Sequence, residues 1–232
     1  MRDRVLLEIA VESVAAAQAA ERGGADRVEL CADLRSGGVT PSLEMMRTAR
    51  SSLKIPIFAM IRPRGGNFVY SAGEFVEMKK SIELAKVCGM DGVALGLLYD
   101  DATIDTPRTK ELVDLAQQLE VTFHRAFDKC KDQIASLERV IEGGARRILT
   151  SGAEPNAYEG RRKLRELIGA ARSRITIIPG GGVRPENIKE ILEVTEAKEI
   201  HSGLGTVLAY GSDENSAFEE EVRKLVKQAN ER

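Results

Sequence analysis

The sequence predicts a single (β/α)8 barrel spanning residues 1–232, and two observations carry that prediction. Eight short runs of apolar and β-branched residues alternate with stretches of helical spacing along the 232 residues, which leaves about 29 residues for each strand and its crossover helix. No linker rich in proline and glycine interrupts this alternation. Strands that alternate with helices form parallel sheets, and eight such units favour a closed barrel. An open, doubly wound sheet is the alternative.

The eight predicted strands are bounded by polar or glycine-containing turns. In chain order they cover residues 5–10 (VLLEIA), 27–32 (RVELCA), 55–62 (IPIFAMIR), 92–98 (GVALGLL), 121–126 (VTFHRA), 147–151 (RILTS), 175–179 (ITIIP) and 199–202 (EIHS). Helix-forming stretches such as SVAAAQAAERGG lie between them. A last helix is predicted at residues 216–228, where four apolar side chains share one face: Phe218, Val222, Leu225 and Val226.

One type of joint between a helix and the next strand recurs in the sequence. The segments RGGADRVEL, VCGMDGVAL and EGGARRILT each read as a helix end, a glycine, a charged residue and then a strand. Glycine at this place is typical of a helix that ends on a left-handed residue. The recurrence supports a fold built from repeated units.

The composition excludes several classes of protein. A net charge of −2 without a basic run argues against a nucleic-acid partner. No apolar run reaches the ~18 residues of a membrane-spanning helix, and the start of the chain lacks the pattern of a signal peptide. Cys31, Cys88 and Cys130 are widely spaced and form no metal or disulfide pattern, so we expect a reducing, cytoplasmic setting. A homo-oligomer is compatible with all of these features.

The alternation of apolar residues fixes which side chains point toward the barrel axis. Alternate residues of a barrel strand face the axis, and the others face the helices and must be apolar. In strand 2, for example, Val28 and Leu30 suit the helices, so Glu29 and Cys31 face inward. Applied to strands 1, 2, 3, 5 and 8, this rule gives an unusually polar interior: Glu8, Glu29, Cys31, Met60, Arg62, His124 and His201.

Charged groups inside a barrel need a reason, because burying each of them costs several kcal/mol unless it is paired or binds something. One interpretation is a self-contained network in which Arg62 neutralises Glu8 and Glu29. The other is a ligand site at the carboxyl ends of the strands, where barrel proteins carry their chemistry. On the second interpretation, Glu8, Glu29 and His124 are candidate acid–base groups and Arg62 is a candidate electrostatic catalyst.

Glycine-rich loops after strands 7 and 8 predict an anion site. The segment PGGGVRPENI places Gly181 and Gly182 before a helix start, with Arg184 close by. The loop after strand 8 adds two small residues, Ser202 and Gly203, followed by Gly205 and Thr206. Barrels that bind phosphate commonly hold it between these two loops.

Several long motifs resemble one known family. The segments RVELCADLRSGGVTPS, IRPRGGNFVYS, VTFHRAFD, ILTSG and IIPGGGVRPENI are similar, in this order, to the copper homeostasis protein CutC family, over about residues 5–205. The resemblance implies a cytoplasmic (β/α)8 barrel linked to copper tolerance, with copper binding proposed for some members. It also implies that the elaborate loop DLRSGGVTPS lies at the mouth of the barrel.

Two kinds of function follow from these residues. A copper protein would use soft ligands, for which Cys31 near Met60 is the candidate, with His201 as a further metal ligand. An enzyme acting on a small anionic or phosphorylated substrate would use the acid–base groups above, with a set of further residues at the substrate: Asp33, Arg64, Arg125 and Asp128.

Other chemistries are favoured less or are disfavoured. A zinc or manganese site built from Glu8, Glu29, His124 and His201 is a third interpretation. A Schiff-base aldolase is disfavoured because no predicted strand contains a lysine. A dinucleotide enzyme is disfavoured because GGGVRPENI lacks the G-x-G-x-x-G spacing.

Overall fold

Strands and helices alternate from one end of the chain to the other. The computed structural model describes residues 4–204 and 214–231, so the predicted loop residues Gly205 and Thr206 lie outside the described part. The strands are β1 (Leu6–Val11), β2 (Arg27–Leu30), β3 (Ile57–Met60), β4 (Gly92–Leu95), β5 (Glu120–Phe123), β6 (Arg147–Thr150), β7 (Thr176–Pro179) and β8 (Glu199–Ser202). The helices are α1 (Val14–Gly23), α2 (Leu43–Ser52), α3 (Ala72–Val87), α4 (Thr106–Ala116), α5 (Gln133–Glu142), α6 (Arg161–Ala171), α7 (Ile188–Thr195) and α8 (Glu214–Asn230).

The eight strands form one parallel barrel. Hydrogen-bonded neighbours follow the order β7-β6-β5-β4-β3-β2-β1-β8, and β7 packs beside β8 to bring the two ends of the sheet together. Outward-facing strand residues such as Leu7, Ile9 and Val28 are fully buried beneath the helices. The (β/α)8 prediction is confirmed, and the open doubly wound sheet is excluded.

Five strands, β2 to β6, end earlier than the sequence pattern predicts, and the ends of β3 and β5 show where the chain goes instead. Strand β3 stops at Met60, and the backbone N–H of Arg62 donates to Thr40 Oγ1, 2.9 Å away in the loop after β2. Strand β5 stops at Phe123, and a short 3-10 turn follows at Arg125–Lys129. Both departures lie at the carboxyl ends of the strands, where the chain builds loops over the mouth.

The three repeated joints have the same geometry. Gly24, Gly89 and Gly144 lie just beyond α1, α3 and α5 with φ of 93°, 69° and 85°. These are left-handed conformations that glycine adopts without a steric penalty. The sequence repeat therefore corresponds to a structural one, and it returns the chain to the amino-terminal side of the barrel each time.

An aromatic ring closes the amino-terminal end of the barrel. The ring of Phe58 packs against two guanidinium groups, with its centroid 4.7 Å from Cζ of Arg27 and 5.2 Å from Cζ of Arg147. A Cβ on Gly92 would approach this ring to 2.5 Å, so the neighbouring strand carries no side chain there. This layer separates the interior from the amino-terminal face.

The final helix covers the join between the first and last units. Helix α8 buries Phe218, Val222 and Leu225, and a Cβ on Gly23 of α1 would lie 2.7 Å from Val222. The absent side chain at Gly23 lets the two helices approach closely. Within the described residues, no helix combines the length and apolarity that crossing a membrane requires.

Candidate functional site

A cavity of about 190 Å³ opens at the carboxyl ends of the strands. Barrel side chains form its floor and the loops after β2, β3, β5, β7 and β8 form its rim. The lining residues are Ala10, Glu29, Leu34, Gly37, Met60, Arg62, Phe68, His124, Arg125, Leu149, Gly181, Gly182, Arg184, His201 and Gly203. The predicted strand phase agrees with this placement, since Glu29, Arg62, His124 and His201 all face the axis.

An ion-pair network lies directly beneath the cavity. The guanidinium of Arg27 donates to Glu8 Oε2 and, at 2.7 Å, to Glu199 Oε2. The Nδ1 atom of His201 donates to Glu8 Oε1 at 2.7 Å. Burial alone would raise the pKa of Glu8, but the charge of Arg27 and the hydrogen bond from His201 lower it to about 2. Glu8 is therefore an anion that holds both Arg27 and His201 in place.

The same contacts set the charge and orientation of His201. Burial lowers the pKa of its imidazole, but the hydrogen bond to Glu8 and the nearby charges of Glu29 and Glu8 outweigh burial and raise it. With Nδ1 occupied by Glu8, the Nε2 atom points to the other side, 4.0 Å from Glu29 Oε2. Glu8 thus orients the ring edge that faces Glu29.

Glu29 is the least satisfied acidic group of the site. It is 4% exposed, and its Oε1 atom has no hydrogen-bond partner among the described residues. Burial raises its pKa to about 7, against the opposing charge of His201. A buried carboxyl that exchanges a proton near neutral pH suits acid–base work.

His124 faces the same cavity from β5. Its Nδ1 atom accepts the backbone N–H of Ala126 at 3.2 Å, and its Nε2 atom is buried without a partner among the described residues. Burial and the charge of Arg62 lower the pKa of the imidazole to about 3. The pKa values of the two histidines are therefore shifted in opposite directions, down for His124 and up for His201.

Arg62 holds the two mouth loops together. Its Nη1 atom donates to the carbonyls of Ser36 and Gly38, each at 3.0 Å, and its Nη2 atom to the carbonyl of Gly66 at 2.9 Å. Its planar group also lies over the ring of Phe68, 4.8 Å from the centroid. Of its three nitrogens only Nε is buried without a partner. Arg62, predicted as an electrostatic catalyst, thus makes most of its hydrogen bonds to the backbone of the loops.

Arg125 lies on the opposite rim and is held by Asp128. Its Nε atom donates to Asp128 Oδ2 at 2.7 Å, and its Nη2 atom to Ser151 Oγ at 3.0 Å. Asp128 also accepts the backbone N–H of Ser151, at 3.0 Å, and the hydroxyl of Thr150. The Nη1 end of Arg125 lies against Gly181, where a Cβ would approach it to 2.9 Å. Asp128 therefore orients Arg125. Of these two residues, Arg125 is the one that lines the cavity.

The glycine-rich loop after β7 joins Arg125 on this rim. Gly181 and Gly182 have φ of 98° and 66°, left-handed conformations that favour glycine. Because glycine has no side chain, the cavity wall is formed here by the backbone. Arg184 lines the cavity and donates from Nη1 to the carbonyl of Val183 at 2.7 Å. Gly203 lines the cavity, but Ser202 faces away and donates to the carbonyl of Val183 at 2.8 Å. Helix α7 begins at Ile188, several residues after the glycines.

Asp33 and Arg64, like Asp128 and Ser202, are predicted ligand-binding residues that lie outside the cavity lining. Asp33 has a φ of 47° and caps the 3-10 turn at Leu34–Ser36, where it accepts the backbone N–H and the hydroxyl of Ser36. Arg64 pairs with Glu74 at the start of α3, and its Nη atoms donate to loop carbonyls, including that of Val69 at 2.8 Å. Neither side chain reaches the cavity, because each one binds groups of its own loop.

Two soft donors lie close together beneath the loop after β2. Cys31 is fully buried, and its Sγ atom donates to Glu29 Oε2 at 3.7 Å. A Cβ on Gly38 would lie 3.2 Å from Cys31 Sγ and 3.5 Å from the methyl group of Met60. Burial raises the pKa of the Cys31 thiol well above its ordinary value, so the thiol is protonated. These donor types fit Cu(I) once the thiol loses its proton.

Harder ligands form a second candidate metal group. Glu8, Glu29 and His201 each offer one ligand atom, all within 4.8 Å of one another, and His124 is not part of this group in the described chain. Glu8 is already engaged by Arg27, so Glu29 and His201 Nε2 are the available donors. A histidine whose Nδ1 is held by a carboxylate is a common metal ligand. This donor set fits zinc or manganese.

Some residues of the site were not predicted from the sequence. Arg27 and Glu199 complete the network around Glu8, and the alternation rule would have found them, because they lie two residues before Glu29 and His201 on the same inward face. Phe68 packs 5.1 Å from the ring of His124 and comes from a loop without periodicity. No sequence pattern points to that contact.

The architecture defines the general class. The chain is a single-domain (β/α)8 barrel with a charged cavity at the carboxyl ends of its strands, the end at which barrel proteins carry their ligand sites. The particular family follows from comparison with known proteins. The CutC family model matches residues 5–206, and this chain belongs to that family, as its motifs predicted.

Several relatives match most of this chain. The human protein named copper homeostasis protein cutC homolog is 46% identical over 196 residues, which cover 84% of this chain and 72% of the relative. The CutC protein of Chromobacterium violaceum is 46% identical over 197 residues, covering 85% of this chain and 80% of the relative. The solved structure of CutC from Streptococcus agalactiae has a TM-score of 0.81 and 35% identity, and covers 85% of this chain and 98% of that one.

Proposed function

We propose that this protein binds a small anionic ligand in the mouth of its barrel and transfers a proton to or from it. One observation carries the proposal: Glu29 presents a buried, unpartnered carboxyl oxygen at a cavity bordered by three arginines, Arg62, Arg125 and Arg184. A structure that only had to be stable would pair that oxygen, since a buried acceptor without a partner costs about 1–3 kcal/mol.

Electrostatics support an anion as the ligand. Arg125 is held at the rim by Asp128 and projects its Nη1 end toward Gly181. Glu8 neutralises Arg27 below the cavity, so the arginines at the rim are the charges nearest the opening. A phosphate or carboxylate at Gly181 would gain a charge-assisted hydrogen bond from Arg125. The remainder of the ligand would then extend over Glu29.

Calorimetric titration with inorganic phosphate tests the anion site. We expect millimolar or tighter binding, weakened at least about 10-fold in Arg125→Gln, because a hydrogen bond to a charged group contributes about 1.5–3 kcal/mol. Arg165→Gln is the control, since it removes an equal charge from the exposed surface of α6. No binding by the unaltered protein, or equal losses in both variants, contradicts the anion site.

Deuterium exchange tests the proton transfer. A mixture of small phosphorylated and carboxylated metabolites in D2O is followed by proton NMR, in which transfer at carbon replaces a C–H signal. We expect exchange that Glu29→Gln slows by about 10²–10⁴-fold, the range for a general base. Exchange at the full rate in a folded Glu29→Gln variant contradicts the assignment of Glu29.

We propose copper binding as the second candidate function, in line with the names of the human and mouse relatives. The contact that favours it is the thiol of Cys31 on Glu29, close to Met60. Cys31 and Met60 would hold Cu(I), and Glu29 would accept the thiol proton. We also propose a cytoplasmic location, where the three free cysteines would stay reduced.

Metal analysis and competition distinguish the candidate ions. Protein purified without a chelator is analysed for copper, zinc and manganese. In a Cu(I) competition assay we expect Cys31→Ser to lose affinity and Cys88→Ser to keep it, because Cys88 lies at the end of α3, away from the mouth. Equal affinity in the two variants removes Cys31 from any copper site.

A further inference from the structure

The tautomer of His124 is set by the backbone. The N–H of Ala126, two residues further on, points at His124 Nδ1 from 3.2 Å, so Nδ1 accepts and carries no proton. A neutral imidazole has one N–H group. His124 therefore carries its proton on Nε2.

This Nε2–H group has a fixed direction and no acceptor. The ring is 3% exposed and lines the cavity, and Nε2 lacks a partner among the described residues. Phe68 packs on the ring with centroids 5.1 Å apart, and a Cβ on Gly96 would come within 2.6 Å of Nδ1. The imidazole is clamped on both sides, so Nε2–H is a preoriented donor.

Its surroundings keep the ring neutral. Burial disfavours the imidazolium, and the guanidinium of Arg62 adds a repelling charge, so the pKa of His124 is lowered to about 3. A ring in this state donates a hydrogen bond from Nε2 without giving up the proton. This differs from the acid–base role that the sequence assigned to His124.

We propose that His124 donates its Nε2–H hydrogen bond to a carbonyl oxygen of the ligand, and that the ligand is therefore a small carbonyl compound carrying a phosphate or carboxylate. This inference rests on the proposed function, because it assumes that the cavity holds an anion. It adds the second recognition element, an oxygen acceptor placed opposite His124, and it limits the substrate class accordingly.

The arrangement suits proton abstraction next to the carbonyl. The Glu29 carboxylate takes the proton from the carbon next to the carbonyl, the electron pair of the broken C–H bond forms a C=C bond, and the carbonyl oxygen becomes an enolate oxygen. His124 Nε2–H stabilises the negative charge on that oxygen and keeps its own proton. Return of the proton from Glu29 to carbon completes an exchange or an isomerisation without any co-reactant.

Nitrogen NMR of the unaltered protein tests the tautomer directly. The chain has 2 histidines, so labelling histidine with ¹⁵N gives two ring systems, which His124→Gln assigns. We expect the His124 nitrogens to report the Nε2–H tautomer and to stay unchanged from pH 8 to pH 5. A proton on Nδ1, or titration in that range, overturns the proposal, and the measurement itself is made on the unaltered protein.

Binding of 2-phosphoglycolate, whose carboxylate resembles an enolate, tests the donor. The amide nitrogen of glutamine can occupy the position of Nε2, whereas that of asparagine reaches only Nδ1. We expect Kd within about threefold of the unaltered protein for His124→Gln, and a Kd weakened about 10–100-fold for His124→Asn and His124→Leu. Thermal unfolding of each variant checks that it is folded.

The outcomes separate this inference from the proposed function. Equal 2-phosphoglycolate binding by the unaltered protein and His124→Leu overturns the role of His124 and leaves the anion site standing. If neither inorganic phosphate nor 2-phosphoglycolate binds the unaltered protein, both proposals are wrong. Inorganic phosphate has no carbonyl, so we expect its affinity to change less than twofold in His124→Leu.

Discussion

Replacing Glu8 by glutamine should destabilise the protein more than the loss of any single surface charge. Glu8 is 2% exposed and is the shared anion between Arg27 and His201. The substitution keeps the size of the side chain and removes its charge. Buried Arg27 and His201 then lose the anion that offsets the desolvation of their charged forms, and among the described residues Arg27 keeps its ion pair with Glu199.

The magnitude can be worked out in two ways. Removing one partner of a buried ion pair typically costs about 3–5 kcal/mol. The pKa of Glu8, lowered from 4.5 to about 2, corresponds to about 3 kcal/mol of preferential interaction with the charged form. Because a lowered acid pKa stabilises the fold above pH 4.5 and loses that effect as the pH falls toward 2, the full loss is expected at pH 7.

Urea unfolding at pH 7 measures this loss. We expect Glu8→Gln to lower the free energy of unfolding by about 3 kcal/mol. Glu138→Gln breaks an ion pair with Arg174 whose side chains are 54% and 41% exposed, and it serves as the control, with little change expected. Similar stabilities for the two variants would refute the view that Glu8 anchors buried cations.

Three further substitutions probe the same architecture. The pKa of His124 in the folded protein is about 3, so the unfolded protein binds an extra proton below pH 6.5. Lowering the pH below 6.5 should therefore destabilise the unaltered protein relative to His124→Gln by about 1.4 kcal/mol per pH unit. Parallel curves of stability against pH for the two proteins would contradict this. Gly181→Ala should cost about 1 kcal/mol or more and weaken phosphate binding, because a φ of 98° strains alanine and the new methyl group meets Arg125. Gly169→Ala is its control: it lies exposed within α6 with nothing within 4 Å, and it should stabilise by about 0.5–1 kcal/mol. Gly92→Ala should cost about 1–3 kcal/mol in thermal unfolding, since its Cβ would lie 2.5 Å from an aromatic ring; an unchanged midpoint would mean that the ring can move aside.

The sequence was most informative where the physics is periodic. A strand residue points either to the axis or to the helices, and one apolar neighbour such as Val28 is enough to orient Glu29. The same rule orients His124 and His201, whose side chains line one cavity although they lie far apart along the chain. The strand ends were harder to predict, because side chains such as Thr40 compete with the ladder for backbone groups.

The sequence was least informative where a side chain binds the backbone. Arg62 and Arg64 are both followed by glycine-rich loop sequence and look equally available for an anion. Their guanidinium groups instead satisfy loop carbonyls, which every residue possesses and no sequence pattern marks. The charge state of His124 was likewise hidden, because it depends on the N–H of Ala126 and on burial.

The ring of Phe58, packed against Arg27 and Arg147, occupies the barrel interior on the amino-terminal side of the cavity. We therefore expect a ligand that enters the cavity at the loops to leave by the same opening. A ligand bound over Glu29 would then have to leave before the next one could enter. Turnover in such a cavity would be limited by passage of the ligand through the loops that Arg62 ties together. Loosening those loops should therefore change the rate of ligand exchange before it changes the affinity.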